Sequence, residues 1–500
     1  MEERGGDIVV EPNVTISNDN FDDTINIPQD ELRWCTVSLS EVNDNNQRLE
    51  ASVFNIDGRH AREVLKRCRW DIVSLWSEKG LIENAYYPTR FKRIYVEKEN
   101  GIPFFLPSQV SEINPKATKY ISRMTNVDFD NLKVKIGQLL LTRSGTIGNC
   151  TVVTNTLDSK VFSDDVIRIT FKDSIDIGYT YAYLRTKIGS TLLQTNNYGS
   201  VVSHIEPEHL RNVPIPNPPK ILKSQIHEIV MKSFKLRDES NILLKEAYEL
   251  LINELKLPPI EKLDIEYFNK QFNLRNYTIK LSQSDYRIDA SYHVPIVKAI
   301  LKYLRENADE VTTVGDQRIS KYVKLPGRFK RIYVEEGQGT VFFGGKHIFE
   351  LDPSNKKFLS VKHHKRQIEE LKLVENMVLV TRSGTIGNVN IVPKHWENWV
   401  INEHVIRILP SSDDIAGYLY VFLSSDYGLE LIKRFTYGSV VDEIDSNHVS
   451  NVEVPLLKDK NIQWKINDLA LEANKKRYEA YMLEQQAIKM VNDKVIHAEK

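Results

Sequence analysis

A chain of 500 residues is too long for one compact domain, and its 41% hydrophobic and 27% charged content is ordinary for a globular protein. The 67 Lys and Arg against 68 Asp and Glu leave a net charge of −1, which argues against a uniformly basic nucleic-acid binder but allows a local basic face. The three cysteines are widely spaced and suggest neither a disulfide framework nor a zinc site. No apolar run reaches the length of a membrane span, so a reducing cytoplasm is the expected location.

The first segment of the chain is acidic. Its carboxylates run from Glu2 to Asp30, and Arg4 is its single cation before residue 31. Such a composition offers little apolar surface to bury. We therefore predict an acidic, partly disordered N-terminal tail over residues 1–35.

Four short blocks then occur twice in the same order. RFKRIYVE and TRSGTIGN are identical in their two copies, while R-[LI]-[DE]-A-S precedes them and Y-G-S-V-V follows them. The copies occupy residues 48–52 and 287–291, 90–97 and 328–335, 142–149 and 381–388, and 198–202 and 437–441. Arg328 lies 238 positions after Arg90, and Arg382 lies 239 positions after Arg143. A constant offset of this length indicates a tandem duplication of whole domains rather than a solenoid.

We therefore predict an α+β fold with two tandem mixed α/β domains, each followed by a long helix. Residues 220–255 contain neither Gly nor Pro, which is typical of such a helix. The predicted divisions are the tail at 1–35, a first domain at 36–217, a first spacer helix at 218–257, a linker at 258–277, a second domain at 278–456 and a second spacer helix at 457–500.

The two long helices carry matching seams of apolar and small residues at heptad spacing. Small side chains in the first helix correspond to small side chains 240 positions later in the second, as Ser233 corresponds to Ala473. Because small seam residues let backbones approach closely, we predict an antiparallel coiled-coil spacer that holds the globular domains apart at its ends. The alternative is that each helix caps its own domain. The predicted packing residues are Ile226, Ile229, Ser233, Ser240, Leu243, Ala247, Leu250, Ile466, Leu469, Ala473, Ala480, Leu483 and Ala487.

The TRSGTIGN block lies between two strand-like runs, and its glycines suit a tight hairpin tip. A phosphate-binding P-loop requires Lys after the last Gly, where this chain has Asn149 and Asn388. The block is therefore predicted to be mainly structural, although side chains before the turn could reach a phosphate. Those side chains are Arg143, Ser144, Arg382 and Ser383.

The RFKRIYVE block concentrates three cations in four residues. It is either a solvated strand entrance or a phosphate-contacting rim, and the block alone leaves both open. The cations are Arg90, Lys92 and Arg93 in the first copy and Arg328, Lys330 and Arg331 in the second.

The sequence shows no nucleophile–base constellation and no H-E-x-x-H motif. His204 and His209 flank Pro207, which disrupts regular ligand spacing and favours a capped helical turn over a metal site. No catalytic or metal-binding residue is therefore predicted.

This order of blocks, which occurs twice in the chain, resembles that of the DNA-sequence-specificity subunit of type I restriction-modification systems. The resemblance covers nearly the whole chain after about residue 36. It implies two target-recognition domains that each read half of a bipartite sequence in double-stranded DNA, with the paired helices as a ruler. It also implies a non-catalytic chain that docks two methyltransferase subunits, which restriction subunits join. S-adenosylmethionine, ATP and Mg²⁺ are then expected on the partners and no cofactor on this chain.

Base-reading residues are expected where the two copies diverge, at residues 106–132 and 344–371. Candidates are Lys116, Lys119 and Arg123 in the first copy and Lys357, Lys362, His363, Lys365 and Arg366 in the second. Two alternatives stay open: a specificity subunit of another methylation-based phage-defence system, and a protein–protein adaptor with two modules on a coiled spacer.

Overall fold

The computed structural model describes residues 13–15, 24–26, 36–44, 54–145, 147–195, 204–267, 278–284, 287–354, 356–438 and 441–498. Most of the predicted tail therefore lies outside the described residues, as do the blocks at 48–52 and 198–202. Near the start, strands β1 (Asn13–Thr15) and β2 (Thr24–Asn26) pair antiparallel, and helix α1 (Leu39–Asp44) follows.

The first repeat contains two sheets and a strand pair. Its elements are α2 (Ile56–Arg67), β3 (Ile72–Ser74), β4 (Ile82–Tyr86), β5 (Gly101–Phe105), β6 (Lys119–Ser122), α3 (Phe129–Leu132), β7 (Leu139–Thr142), β8 (Cys150–Val152), β9 (Val161–Phe162), β10 (Val166–Phe171), α4 (Ile175–Arg185), α5 (Lys187–Gln194) and β11 (Pro214–Pro216). The first spacer helix, α6 (Lys220–Glu254), and the short helix α7 (Ile260–Tyr267) then lead to the second repeat.

The second repeat has the same succession. Its elements are α8 (Pro295–Asn307), β12 (Glu310–Thr313), β13 (Ser320–Lys324), β14 (Tyr333–Val334), β15 (Gly339–Phe343), β16 (Lys357–Ser360), α9 (Val361–Leu371), β17 (Val378–Thr381), β18 (Val389–Ile391), β19 (Val400–Ile401), β20 (Val405–Pro410), α10 (Asp413–Leu423), α11 (Asp426–Lys433), α12 (Ser446–Ser450), β21 (Glu453–Leu456) and the second spacer helix α13 (Lys460–Val491). Short 3-10 turns lie at Lys98–Asn100, Pro107–Gln109, Pro207–Asn212, Leu281–Gln283, Ala290–His293, Gly345–His347 and Lys394–Trp396, and a π-helical turn at Asn492–Ile496.

Sheet topology confirms the two mixed α/β domains. The larger sheet has strand order β4-β10-β7-β8 in the first repeat and β13-β20-β17-β18 in the second. The smaller sheet contains β6-β5-β9 and, with one added edge strand, β14-β16-β15-β19. Strand order, and not only the short blocks, is therefore duplicated.

The TRSGTIGN block is the tip of a hairpin, as predicted. Strands β7 and β8 pair antiparallel with Leu139 opposite Val152, and β17 and β18 pair in the same way. Gly145 and Gly148 have φ of 76° and 91°, a left-handed conformation that favours glycine.

The two spacer helices pair antiparallel, which confirms the predicted coil. The Ser233 hydroxyl donates to the Ala480 carbonyl at 2.7 Å, Lys476 pairs with Glu239 at 2.8 Å, and Lys465 pairs with Glu246 at 3.1 Å. Residue numbers therefore fall along one helix as they rise along the other. At about 1.5 Å per residue, helices of this length span roughly 50 Å.

Along this helix pair, the small seam residues are more deeply buried than most of the long ones. Ser233 is 1% exposed, and the other five small seam residues are fully buried: Ser240, Ala247, Ala473, Ala480 and Ala487. Ile226 and Ile466 are also fully buried. The longer seam residues are half-buried, namely Ile229, Leu243, Leu250, Leu469 and Leu483. The small residues thus mark the line of closest approach.

Each spacer helix also packs on its own repeat, so the two alternatives for these helices coexist. Asn467 of α13 accepts a hydrogen bond from the backbone N–H of Gly417 at 2.9 Å, in the first turn of α10. A Cβ at Gly417 would lie 2.3 Å from the Asn467 carbonyl oxygen, so this contact requires glycine. Gly178 and His227 form the equivalent contact in the first repeat.

The end of each spacer helix contributes residues to the hydrophobic core of the other repeat. Ala487 and Val491 of the second spacer helix belong to the core of the first repeat. Ala247 and Leu251 of the first spacer helix belong to the core of the second. Because apolar burial dominates stability, each repeat depends on the spacer helix of the other.

The expectation that the helices hold the globular domains apart is wrong. The backbone N–H of Ile113 donates to the Phe349 carbonyl at 3.0 Å, and Lys116 donates to the Ser424 carbonyl at 3.2 Å. The physical reason is polar anchoring in the middle of each helix. Asp238 accepts hydrogen bonds from Thr154 and Thr156, and Asn474 donates to the Val392 carbonyl. Each domain therefore lies along the helix pair, and the two meet near its centre.

The carboxyl groups at this contact predict a pH dependence of stability. Burial and the nearby Glu350 raise the pKa of Glu112 from 4.5 to about 7. Between these values the folded chain retains a proton that the unfolded chain releases, so stability is expected to fall as pH rises from about 4.5 to 7. Glu112→Gln is expected to remove this slope. Urea unfolding at a series of pH values measures it, and an unchanged slope in the variant would contradict the assignment.

Candidate nucleic-acid interface

The RFKRIYVE segment forms the edge of the small sheet in both repeats. In the first, the Ser122 N–H donates to the Ile94 carbonyl at 2.9 Å. In the second, the Ser360 N–H donates to the Ile332 carbonyl at 3.0 Å, and Tyr333 pairs with Leu359. The segment is thus held by backbone hydrogen bonds while its first cations extend from the sheet edge.

The last cation of the block is held in an ion pair in each repeat. Arg93 contacts Asp164 at 2.5 Å, and Arg331 contacts Glu403 at 2.6 Å. Burial alone would raise the pKa of Glu403, but its backbone hydrogen bond and Arg331 outweigh burial and lower that pKa. The pair is therefore ionised. These contacts favour a structural role for Arg93 and Arg331 over phosphate binding.

The arginine of TRSGTIGN is held in the same way. Arg143 pairs with Glu206 at 2.5 Å and with Asp165 at 3.3 Å, and its guanidinium stacks on Tyr87 at 4.4 Å. In the second repeat Arg382 pairs with Glu443. The carboxylates come from positions that do not correspond between the copies, yet they neutralise the same guanidinium.

The two serines of this block are half-buried. Ser144 forms a backbone bridge with His204, and Ser383 forms one with Glu443. Together with Arg143 and Arg382, they anchor the hairpin tip to the loop that follows the Y-G-S block. This arrangement favours the structural interpretation of TRSGTIGN.

Among the remaining predicted cations, one lies at the contact between the two domains and the others are exposed to solvent. Lys116 lies at the contact between the domains, where it donates to the Ser424 carbonyl. The exposed set is Arg90, Lys92, Lys119, Arg123, Arg328, Lys330, Lys357, Lys362, His363, Lys365 and Arg366. The exposed set occupies the small sheet, its edge and the segment that follows β6 or β16.

One matched feature of this surface was missed in the sequence. Lys119 lies over the Tyr95 ring at 5.6 Å, and Lys357 lies over the Tyr333 ring at 4.8 Å. The sequence contains a match that could have revealed this feature, because KYIS at 119–122 corresponds to KFLS at 357–360 at the same offset of 238. Strands β6 and β16 are therefore equivalent, and the diverged segments that follow them are residues 123–132 and 361–371.

The diverged segment of the second repeat is an amphipathic helix with a kink at His364. His364, Ile368 and Leu371 of α9 are buried, and the His364 Nε2 accepts the Ile332 N–H at 2.9 Å. Its opposite face exposes Lys362, His363, Lys365 and Arg366. We call these four residues the α9 face. The α9 face stands beside the exposed cations of the sheet edge.

The first repeat has a turn and the four-residue helix α3 in the equivalent place. Arg123 is exposed there, and Met124 is 90% exposed. Long exposed side chains at one location, attached to a shared sheet, are suited to contacting base edges in a DNA groove.

A buried arginine in each repeat also escaped sequence reasoning. Arg168 is fully buried and donates to the carbonyls of Ser163, Val166, Leu132 and Phe162. Arg407 occupies the same place in the second repeat. Burial lowers the pKa of Arg168 to about 10. These side chains tie the loop before β10 or β20 to the sheet, and the repeated V-I-R-I block was their signal.

Two repeated blocks and the residues that flank a third line one cleft in the second repeat. Ser291, Gly384, Thr436 and Asp442 contribute to a space of about 470 Å³. The corresponding blocks at 48–52 and 198–202 lie outside the described residues. Within the described part of the chain, no group of three or more His, Cys, Asp or Glu side chains could hold a metal ion, and no helix is long and apolar enough to cross a membrane.

Comparison with known families identifies the second repeat. Residues 341–469 match the model of the type I restriction modification DNA specificity domain. Residues 341–469 form a type I restriction modification DNA specificity domain. The match runs from β15 into α13 and so includes the α9 face and the TRSGTIGN hairpin. The resemblance inferred from the repeated motifs is thereby confirmed, and the first repeat shares the sheet order of this specificity domain.

Two solved structures are similar to this chain. The S subunit of a type I restriction-modification system from M. genitalium is 13% identical, with 86% of this chain and 96% of that chain covered and a TM-score of 0.31. The HsdS subunit from Thermoanaerobacter tengcongensis is 12% identical, with 86% and 97% covered and a TM-score of 0.25. No curated protein matches the chain.

Proposed function

We propose that the chain is the DNA-binding specificity subunit of a type I restriction-modification complex. The family match over residues 341–469 carries this proposal. Each repeat reads one half of a bipartite sequence in double-stranded DNA, and the partners carry the chemistry. The duplicated fold supports two equivalent docking events, while residues 123–132 and the α9 face supply two different reading surfaces.

Shared and diverged cations have different tasks in this proposal. Arg90, Lys92, Arg328 and Lys330 are exposed and identical between the copies, so they contact phosphates and set register. The diverged side chains contact base edges. The net charge of −1 is compatible with this, because the segment before residue 31 is acidic and partners contribute further phosphate contacts.

The methyltransferase subunits dock on the outer faces of the spacer helices. Large apolar side chains stand exposed there, with Ile242 at 64%, Trp464 at 54% and Met482 at 48%. Exposed aromatic and aliphatic groups on a rigid helix are typical anchors for a protein partner. Two methyltransferase subunits bind S-adenosylmethionine, and restriction subunits that join the complex use ATP and Mg²⁺. The chain itself has no catalytic role or cofactor, and it acts in the cytoplasm.

Mapping of modified bases tests this proposal. The chain is co-expressed with the methyltransferase encoded beside it, and genomic DNA is sequenced for methylation. The expected result is a split motif with a constant gap. If that methyltransferase is active with another specificity subunit but modifies nothing with this chain, the proposal is overturned. DNA binding that does not depend on salt would also overturn it.

Removal of the shared cations is expected to weaken DNA binding without changing sequence preference. Arg90→Ala and Arg328→Ala should each lower affinity about equally for cognate and unrelated DNA and reduce the salt slope by about 0.9. Fluorescence anisotropy at several salt concentrations measures both quantities. Arg90→Lys and Arg328→Lys are the matched controls because they keep the charge. A selective loss of cognate binding would assign these arginines to base reading instead.

A further inference from the structure

The contact between the two repeats is a continuous polar junction. Residues 112 and 350 form an antiparallel backbone bridge, and the adjacent Ile113 N–H donates to the Phe349 carbonyl at 3.0 Å. Backbone hydrogen bonds of this kind fix position and direction together, because both donor and acceptor belong to segments held by their own domains.

Three side-chain contacts surround this bridge. Lys116 donates to the Ser424 carbonyl at 3.2 Å, Asn149 donates to the Ser354 hydroxyl at 3.3 Å, and Arg185 donates to Asp352 at 3.3 Å. The donors come from three separate segments of the first repeat. Contacts at several separate points resist rotation of one domain against the other, which a single contact does not.

The junction is also tied to the spacer helices. Asn241 of α6 donates to the Ile113 carbonyl at 3.0 Å, so the bridging segment is held from the helix side as well. Arg185 contacts Glu484 of α13 at 3.0 Å in addition to Asp352. Both repeats and both spacer helices therefore meet in one polar network.

Such a network restricts the geometry of bound DNA. One additional base pair between two half-sites moves them apart by about 3.4 Å and rotates them by roughly 35° about the duplex axis. A hydrogen bond near 3 Å does not survive a displacement of that size. Two domains joined at these points can therefore engage only half-sites at one separation.

We propose that this junction, together with the helix pair, sets the number of base pairs between the two half-sites. The residues at its centre are specificity-determining positions although they touch no base. This inference rests on the proposed function, since it concerns how two DNA-reading domains are spaced. It adds a second spacing element to the helical ruler that the family resemblance implies.

Two variants and a matched control test the junction. The first variant combines Lys116→Ala, Asn149→Ala and Asp352→Ala, which removes all three side-chain contacts. The second, Ser354→Trp, places a bulky ring between the domains. The control is Asn388→Ala, the counterpart of Asn149 in the second repeat, whose backbone N–H bonds Thr381 within its own repeat. Each chain is co-expressed with the methyltransferase, and modified sites are mapped.

The expected result is that both junction variants modify motifs with additional gap lengths while both half-sequences stay the same, and that Asn388→Ala keeps a single gap. A single unchanged gap in both junction variants would overturn the inference. Small-angle scattering of the purified chains gives a separate test, with a larger radius of gyration expected in the variants. Unchanged scattering in both would show that the junction does not hold the domains. If the wild-type complex modifies no split motif, the proposed function fails. The scattering experiment then still tests whether the junction holds the two domains together.

Discussion

Glu484→Gln is expected to lower the free energy of unfolding by about 3–5 kcal/mol, because it removes the negative charge from a buried network. Glu484 is 2% exposed and accepts from Arg185 at 3.0 Å, Arg237 at 2.5 Å and the Tyr181 hydroxyl at 2.8 Å. Burial alone would raise the pKa of Glu484, but Arg237 and Arg185 outweigh burial and lower it, so the group is a carboxylate. The variant leaves Arg237 buried without a counter-charge. Urea unfolding followed by circular dichroism measures the loss.

Glu479→Gln is the matched control for this prediction. Glu479 lies on the same helix and is exposed, so its substitution should change stability by less than about 0.5 kcal/mol. A similar small loss for Glu484→Gln would mean that the buried guanidiniums find other partners. The expected large loss would show that the two spacer helices and the first repeat are stabilised as one unit.

Substitution of the α9 face is expected to change recognition of one half-site and leave the other intact. Alanine at Lys362, His363, Lys365 and Arg366 removes the long polar side chains that stand beside the exposed cations of the sheet edge. Each lost base contact should cost about 1–3 kcal/mol of discrimination. The inner residues Ile368 and Leu371 are kept, so the helix retains its buried face. Mapping of modified sites should show that one half of the split motif is relaxed or lost.

The matched experiment is made in the first repeat. Arg123→Ala with Met124→Ala should alter the other half of the motif and leave the half that the α9 face reads. If either set of substitutions changes both halves, the assignment of one half-site to each repeat is wrong. If neither changes any position, these six side chains do not read bases.

Periodic and repeated features were predictable because they are encoded locally. The offset of 238 to 239 residues defined the duplication, and the small seam residues defined the line along which the spacer helices approach. The hairpin tip followed from two glycines between apolar runs. Each of these depends on spacing within one segment or on comparison of two segments, and both are visible without a fold.

Whether an individual arginine is exposed or held in an ion pair was not predictable in this way. Arg90 and Arg93 stand three positions apart in one basic block, yet Arg90 is exposed and Arg93 is paired with Asp164, which lies 71 residues later. Arg331 and Glu403 are 72 residues apart. A charge in a sequence pattern does not reveal whether folding brings a carboxylate to it.

The amino-acid sequence by itself determined that the chain is two copies of one mixed α/β domain on paired helices, since duplication and heptad spacing survive in linear order. Only the tertiary structure decided how the copies meet. The exchanged helix ends and the junction at Ile113 and Phe349 join residues hundreds of positions apart. Such contacts depend on shape and on the partners available at each surface after folding, and these are properties of the folded chain as a whole.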